Sequence, residues 1–295
     1  DRIMVRLAKR LPEVGGIFVQ VEDEIAAINS LIGASWAGAK AMTATSGPGF
    51  SLMQEGLGAA IMTETPLVVM DVQRTGPATG QATKVAQGDF MQSVWGRHGD
   101  QALVVLSPNS PQEVFELVIK AFNLAEALRS PVVVLSDEAV AHMMEVVKIP
   151  SPDDIELISR RRASSPDEAP FDTDDPSGVP PMPRVGDGFN VLVTTSTHDG
   201  WGFRKTSDPE THRKLIRRIV GKIMRNKRFI VEVERQDLDD ADYGIVSYGI
   251  TSRSASEALR LGREVGLSIG NLRLKTLWPF PEEEVREMAE RVRAI

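Results

Sequence analysis

The sequence predicts an α/β protein, with a larger unit built on a parallel sheet covered by helices and a smaller α/β unit after it. Three observations predict this. Short β-branched runs, apolar at nearly every position, recur through residues 1–150 and read as strands buried on both faces. Segments long enough for helices lie between them, which is the alternation of a parallel sheet. A Pro/Asp/Ser-rich stretch then interrupts the pattern before it resumes.

In chain order, the predicted strands of the first unit are Ile17–Val21 (IFVQV), Ala41–Thr45 (AMTAT), Leu67–Val72 (LVVMDV), Leu103–Leu106 (LVVL) and Val132–Leu135 (VVVL). The helices between them are expected over Glu24–Ala37, Gly49–Met62 and Pro111–Leu128. Residues 151–188 have few large apolar side chains and read as a linker or an arm lying over a neighbour. The Arg160-Arg161-Arg162 run within them reads as a solvated face. From 189 to 295 the pattern returns: a strand at Phe189–Thr194, and a helix at Asp208–Arg225 with Ser207 as N-cap and Pro209 in its first turn. A strand–helix–strand–helix unit follows through ADYGIVSYG, Ser254–Val265, LSIGNLRLKTLWPF and Pro281–Ala294. That unit is short for a complete sheet, so truncation at the C-terminus is expected. A start at Asp1 suggests the same of the N-terminus.

Composition narrows the function classes. A net charge of −7 disfavours a nucleic-acid surface, which needs clustered Lys and Arg. No stretch reaches the roughly 18–20 apolar residues of a membrane helix, and no signal-peptide pattern opens the chain, so a cytoplasmic protein is expected. With no Cys in the sequence, disulfides and thiolate-held zinc or iron–sulfur clusters cannot form within it. The four His residues (98, 142, 198, 212) lack metal-binding spacing.

Four segments are candidates for chemistry. Glu22-Asp23-Glu24 precede a helix that is apolar around most of its circumference, through Ile25, Ile28, Leu31, Ile32 and Trp36. Acids at a helix N-terminus serve as caps, which accounts for Glu22 and Asp23. Glu24 opens the buried stretch, and a carboxyl pressed into apolar surroundings can hold or share a proton near neutral pH. Thr45-Ser46-Gly47-Pro48-Gly49 lies between a strand and a helix, where α/β proteins place ligand loops. Its glycines permit close backbone approach, yet it is neither a Walker A loop nor a dinucleotide fingerprint, and a plain turn explains it as well. Arg74-Thr75 follow an apolar strand and start a long Gly/Thr loop, suited to clamping a carboxylate or simply to facing solvent. His98, between Gly96-Arg97 and Gly99, reads as a turn residue or a substrate contact.

In combination, VEDEIAAINSLIGASWAGAKAMTATSGPGFSLMQEGLG, PLVVMDVQRTGPATGQATKVAQGDFMQSVWGRHGD and LWPFPEEEV closely resemble the alpha subunit of 2-oxoacid:ferredoxin oxidoreductases, most of all the 2-oxoglutarate type. The likeness is strongest over 17–140, fair over 241–295 and poor through the linker; SGPG alone also occurs in acetolactate synthase-like enzymes. It implies a pyrimidine-type thiamine diphosphate-binding domain over 1–150, the linker or arm at 151–188, and a transketolase C-terminal-like α/β domain, truncated, over 189–295. It implies that Glu24 bonds the N1′ nitrogen of the cofactor's aminopyrimidine, that Thr45, Ser46 and Gly47 lie near the cofactor ring, and that Arg74 with Thr75 meets the substrate carboxylate. For His98 it implies no role.

The implied reaction is oxidative decarboxylation of a 2-oxoacid to its acyl-coenzyme A, with electrons passed to ferredoxin. The diphosphate and its Mg²⁺ would be held by a beta subunit, and iron–sulfur clusters by partner subunits, with gamma and delta subunits also possible. The resemblance places the Gly-Asp-Gly…Asn diphosphate motif on that beta subunit. A YPxTPxSP-like segment that the family carries ahead of this region is not in the sequence. 2-Oxoglutarate is favoured as substrate, with pyruvate and branched-chain acids open. The alternatives are half of another thiamine diphosphate enzyme, a decarboxylase or acetolactate synthase-like protein, and a non-catalytic scaffold.

Overall fold

The computed structural model describes residues 2–295. The elements in chain order are helix α1 (Arg2–Arg10), α2 (Glu24–Trp36), strand β1 (Met42–Thr45), α3 (Pro48–Leu52), α4 (Gln54–Met62), β2 (Leu67–Gln73), α5 (Phe90–Trp95), β3 (Val104–Leu106), α6 (Pro111–Leu128), β4 (Pro131–Asp137) and α7 (Glu138–His142). After the polar segment come α8 (Pro209–Arg225), α9 (Lys227–Ile230), β5 (Val233–Gln236), β6 (Tyr243–Tyr248), α10 (Thr251–Glu264), β7 (Ile269–Leu274), β8 (Thr276–Trp278) and α11 (Glu282–Arg291).

Four strands make the expected parallel sheet, and a fifth closes its edge in the order β1-β2-β4-β3-β8. β8 runs antiparallel to β3 and comes from the far end of the chain. A second sheet, β5-β7-β6, pairs β6 and β7 in parallel and β5 with β7 antiparallel. Alternate residues of each buried strand feed opposite faces of the first sheet. Leu67, Val69, Val105 and Val133 pack with Ile28, Phe50 and Leu57 from α2, α3 and α4. Val68, Met70, Val104 and Val132 pack with Leu117, Ala121 and Leu124 from α6. α8 joins both clusters, Leu215 and Ile219 on one face and Ile223 on the other. Residues on both sides of the polar segment therefore share one core.

Several expectations are corrected. Ile17–Val21 forms no strand: Ile17 is 84% and Val19 66% exposed, because a β-branched run becomes a strand only where a sheet edge offers it a ladder. Phe189–Thr194 is likewise irregular. The single helix expected over Gly49–Met62 is two, meeting at Met53. α8 is capped by Asp208, whose carboxylate accepts the Glu210 amide, rather than by Ser207. α10 starts three residues before Ser254. β5 was not foreseen. α2 is not buried all round, since Ile25 is half exposed while Ile28 is fully enclosed.

The polar segment is held by buried charge as well as by Phe171 and Met182, which pack on Trp36; in its basic run Arg161 and Arg162 are exposed, but Arg160 is not. Arg160 is buried and makes a two-pronged contact with Glu126, Nε to Oε2 at 2.9 Å and Nη2 to Oε1 at 2.5 Å. It also donates to the Ser35 carbonyl at 2.7 Å. Arg129, at the left-handed end of α6, donates to the carbonyls of Pro170 and Pro181 and lies against the rings of Trp36 and Phe171. Beneath it sits Glu64, fully enclosed, which accepts from Arg218 at 2.7 and 2.5 Å and from Lys222 at 2.7 Å. Burial alone would raise the Glu64 carboxyl, but the charges of Lys222 and Arg218 hold it well below the usual carboxylate range. Burial dominates at Lys222 and lowers its ammonium to about 8.

Glu64→Gln leaves two buried cations without their anion, and should lower unfolding free energy by about 3–5 kcal/mol in denaturant titrations. Because the folded carboxyl titrates below its unfolded value, its contribution is complete above that unfolded value and is lost as pH falls below it. Wild-type stability should therefore drop more steeply than that of Glu64→Gln in acid.

Candidate active site

The C-terminal ends of β1 and β2 lie side by side, with Thr45 in register with Asp71. The chain leaves β1 into the Ser46–Gly49 turn, where Gly47 has φ +60°, a conformation that L side chains rarely adopt. The Ser46 hydroxyl donates to the Val72 carbonyl at 2.7 Å, which ties the turn to β2 and leaves its oxygen able to accept. α2 delivers Glu24 to the same turn. Asp23 caps this helix by accepting the Ala26 amide at 2.7 Å, which places Glu24 at the first helical position.

The two glycines show how tightly the site is drawn together. A methyl on Gly49 would meet the Thr45 hydroxyl and come within 2.7 Å of Glu24 Oε1. A methyl on Gly47 would lie 2.7 Å from Arg74 Nε and 2.8 Å from its Nη2. A carboxyl and a guanidinium thus flank one turn, two residues apart along it. Glu24 is half-buried and has no hydrogen-bond partner among the described residues. Arg74 Nε is buried and unpartnered as well. An open carboxyl beside a hydroxyl and a side-chain-free backbone fits a flat nitrogen heterocycle, which needs close approach and one hydrogen-bonding acid. Among the described residues no group of three or more His, Asp or Glu side chains is placed to hold a metal ion.

Two residues singled out in the sequence are placed differently. Thr75 uses its hydroxyl to close its own loop, donating to the carbonyls of Lys84 and Val85, both at 3.1 Å. His98 is exposed in the turn after α5, with no recorded contact to Glu24, Thr45 or Arg74.

The sequence reading missed a polar layer behind the turn. Asp71 on β2 is fully buried, with neither carboxylate oxygen partnered. Burial, then the nearby Asp89 charge, push its carboxyl well above the ordinary value. Asp89 is also raised by burial, against the Arg74 amide and charge that lower it. Asp137 at the end of β4 accepts from Ile250 N (2.6 Å), Gln87 Nε2 (3.0 Å) and Gln73 Nε2 (3.2 Å). Gln87 also reaches the second unit, donating to the Tyr248 carbonyl and accepting from Thr251 Oγ1 at 2.6 Å. The signal for Asp71 was visible as the single acid in LVVMDV; Gln87 and Tyr248, 161 residues apart, carried none.

The sequence profile of the thiamine diphosphate-binding domain of pyruvate flavodoxin/ferredoxin oxidoreductases matches residues 2–218, and that of pyruvate:ferredoxin oxidoreductase core domain II matches 241–295. The chain belongs to this oxidoreductase family. It is 51% identical over 295 residues to the 2-oxoglutarate synthase subunit KorA of Methanothermobacter marburgensis, covering 99% of this chain and 78% of the relative. It is 36% identical to the ketoisovalerate oxidoreductase subunit VorB of Methanothermobacter thermautotrophicus, over 98% of this chain and 75% of that one. A solved 2-oxoglutarate:ferredoxin oxidoreductase from Magnetococcus marinus, with 2-oxoglutarate, coenzyme A and succinyl-CoA bound, superposes with a TM-score of 0.94 at 34% identity. The superposition covers 99% of this chain and 51% of the other, so the chain spans about half of that protein. The parallel-sheet fold class expected from the sequence agrees with these matches.

Within this family member, Gln87 ties the loop that follows Arg74 to the second unit. Gln87→Ala should speed amide hydrogen exchange through residues 75–86 and at Ile250. Unchanged exchange at both places would mean that other contacts hold the loop.

Proposed function

We infer that the chain is the alpha-type subunit of a 2-oxoacid:ferredoxin oxidoreductase, oxidatively decarboxylating 2-oxoglutarate to the acyl-coenzyme A with electrons passed to ferredoxin. The observation that carries this is the convergence of Glu24, Thr45, Gly49 and Arg74 at the ends of β1 and β2. The 51% identity to KorA, against 36% to VorB, supports 2-oxoglutarate over branched-chain acids. Thiamine diphosphate, when bound, supplies the electron sink for decarboxylation. This chain's part is to hold a proton at the pyrimidine N1′ atom through Glu24, to let the ring approach over Gly47 and Gly49, and to bind the 2-oxoacid carboxylate through Arg74. Thr45 lies beside Glu24 and would fix its rotamer; Ser46 acts through the turn that it anchors.

The remaining parts are assigned to other chains. A beta subunit would carry the diphosphate and Mg²⁺. Iron–sulfur clusters would sit on partner subunits, with gamma and delta chains completing the complex. That division suits a sequence with no Cys. No helix among the described residues is long and apolar enough to cross a membrane. We place the complex in the cytoplasm.

The purified chain should be inactive by itself, and co-expression with a beta partner should restore 2-oxoglutarate- and coenzyme A-dependent reduction of ferredoxin. Turnover by the isolated chain would refute a shared site. In the assembled enzyme, Glu24→Gln should lower kcat by about 10²–10⁴-fold while the complex still forms. A level rate would point instead to a scaffold. An assay across several 2-oxoacids fixes the substrate: 2-oxoglutarate should give the highest kcat/KM.

A further inference from the structure

Behind the Arg74 loop lie three carboxyls and one guanidinium: Asp71 and Asp137 are buried, and Asp89 and Arg74 are half-buried. All three ionised beside one cation would leave excess negative charge in a low-dielectric pocket, which proteins avoid by protonating a group. Burial and hydrogen bonding together point to that group. Asp137 accepts three N–H donors and is supported as an anion. Asp89 is half-buried rather than enclosed, and the Arg74 amide and charge lower its carboxyl against the burial that raises it. Asp71 is 0% exposed and has no donor on either oxygen. It sits on the same sheet face as Thr45, its register partner on β1, behind the turn that Glu24 and Arg74 flank. Tyr248, pushed up to about 12 by burial and by the Asp137 charge, stays neutral and adds no charge.

We propose that Asp71 is held as a neutral acid behind this turn, so that an incoming 2-oxoacid carboxylate at Arg74 meets no added negative charge. Ionising Asp71 places a like charge behind the binding arginine. The inference rests on Arg74 as the substrate carboxylate clamp, proposed above.

Infrared spectra of the assembled enzyme read the acid directly. Wild type should show a protonated-carboxyl stretching band at neutral pH that Asp71→Asn lacks and Asp89→Asn keeps. As pH rises through the range where that band fades, the wild-type KM for 2-oxoglutarate should climb on the order of tenfold, the effect of one unit charge about 10 Å away at an effective dielectric near 20. In Asp71→Asn, whose side chain cannot ionise, the KM profile should stay flat over the same range. A band unchanged in Asp71→Asn, or a wild-type KM that ignores the fading of the band, overturns the proposal. Should Asp71→Asn fail to assemble, the joint titration of band and KM in wild type still decides it. Arg74→Ala with an unaltered KM would sink the clamp reading instead, and the infrared assignment would stand apart from it.

Discussion

The ladder between β2 and β4 is the constraint on which the site depends. Seven residues pair in unbroken parallel register from Leu67↔Pro131 to Gln73↔Asp137, and nearly all are buried. Such a ladder cannot slip by one residue without sending its apolar set to the wrong face of the sheet. It therefore fixes where β2 ends, and Arg74 follows at once. β1 is hung on the same strand, which puts Thr45 opposite Asp71 and carries the Ser46–Gly49 turn to Arg74. The position of the guanidinium relative to Glu24 follows from strand register, not from any bond between the two.

Charge organises the rest of the interior to an unusual degree for a chain of ordinary composition. Glu64 gathers Arg218 and Lys222 from α8 onto the loop that precedes β2. Glu126 holds Arg160, and with it the polar segment, against the Trp36 end of α2. Buried ion pairs of this kind are poor sources of net stability but are costly to break singly, so they specify one arrangement. Here they add to the small apolar cluster of Trp36, Phe171 and Met182 in docking a mostly polar segment. In the polar layer behind the Arg74 loop the balance is different: carboxyls outnumber cations, and burial raises Asp71, Asp89 and Asp137 together.

Strands flanked by turns and helices with clear caps could be read from the residues, because their signals are local. α6 runs over the residues expected, Pro111–Leu128, with Ser110 as its cap. The strand cores at 42–45, 67–72, 104–106 and 132–135 were equally plain. Ile17–Val21 and Phe189–Thr194 misled because propensity says nothing about whether a neighbour is available to pair. Arg160 misled for the opposite reason: a basic triplet in a polar stretch looks solvated until a buried Glu126 is found 34 residues away.

By itself the sequence determined the residue types and their placement at strand ends: Glu24 opening a helix, the Gly47/Gly49 turn, and Arg74 just past an apolar run. These follow from short-range pattern, and they sufficed to point to a family and its chemistry. Only the tertiary structure decided that Glu24, Thr45 and Arg74 crowd the same two glycines, that the Thr75 hydroxyl is spent on its own loop, and that Asp71 faces the site with no donor. It also decided that β8 joins the first sheet and that Gln87 bridges to Tyr248. Those are contacts between distant segments, set by strand register and by which polar groups find partners once water is excluded, and a linear pattern does not encode them.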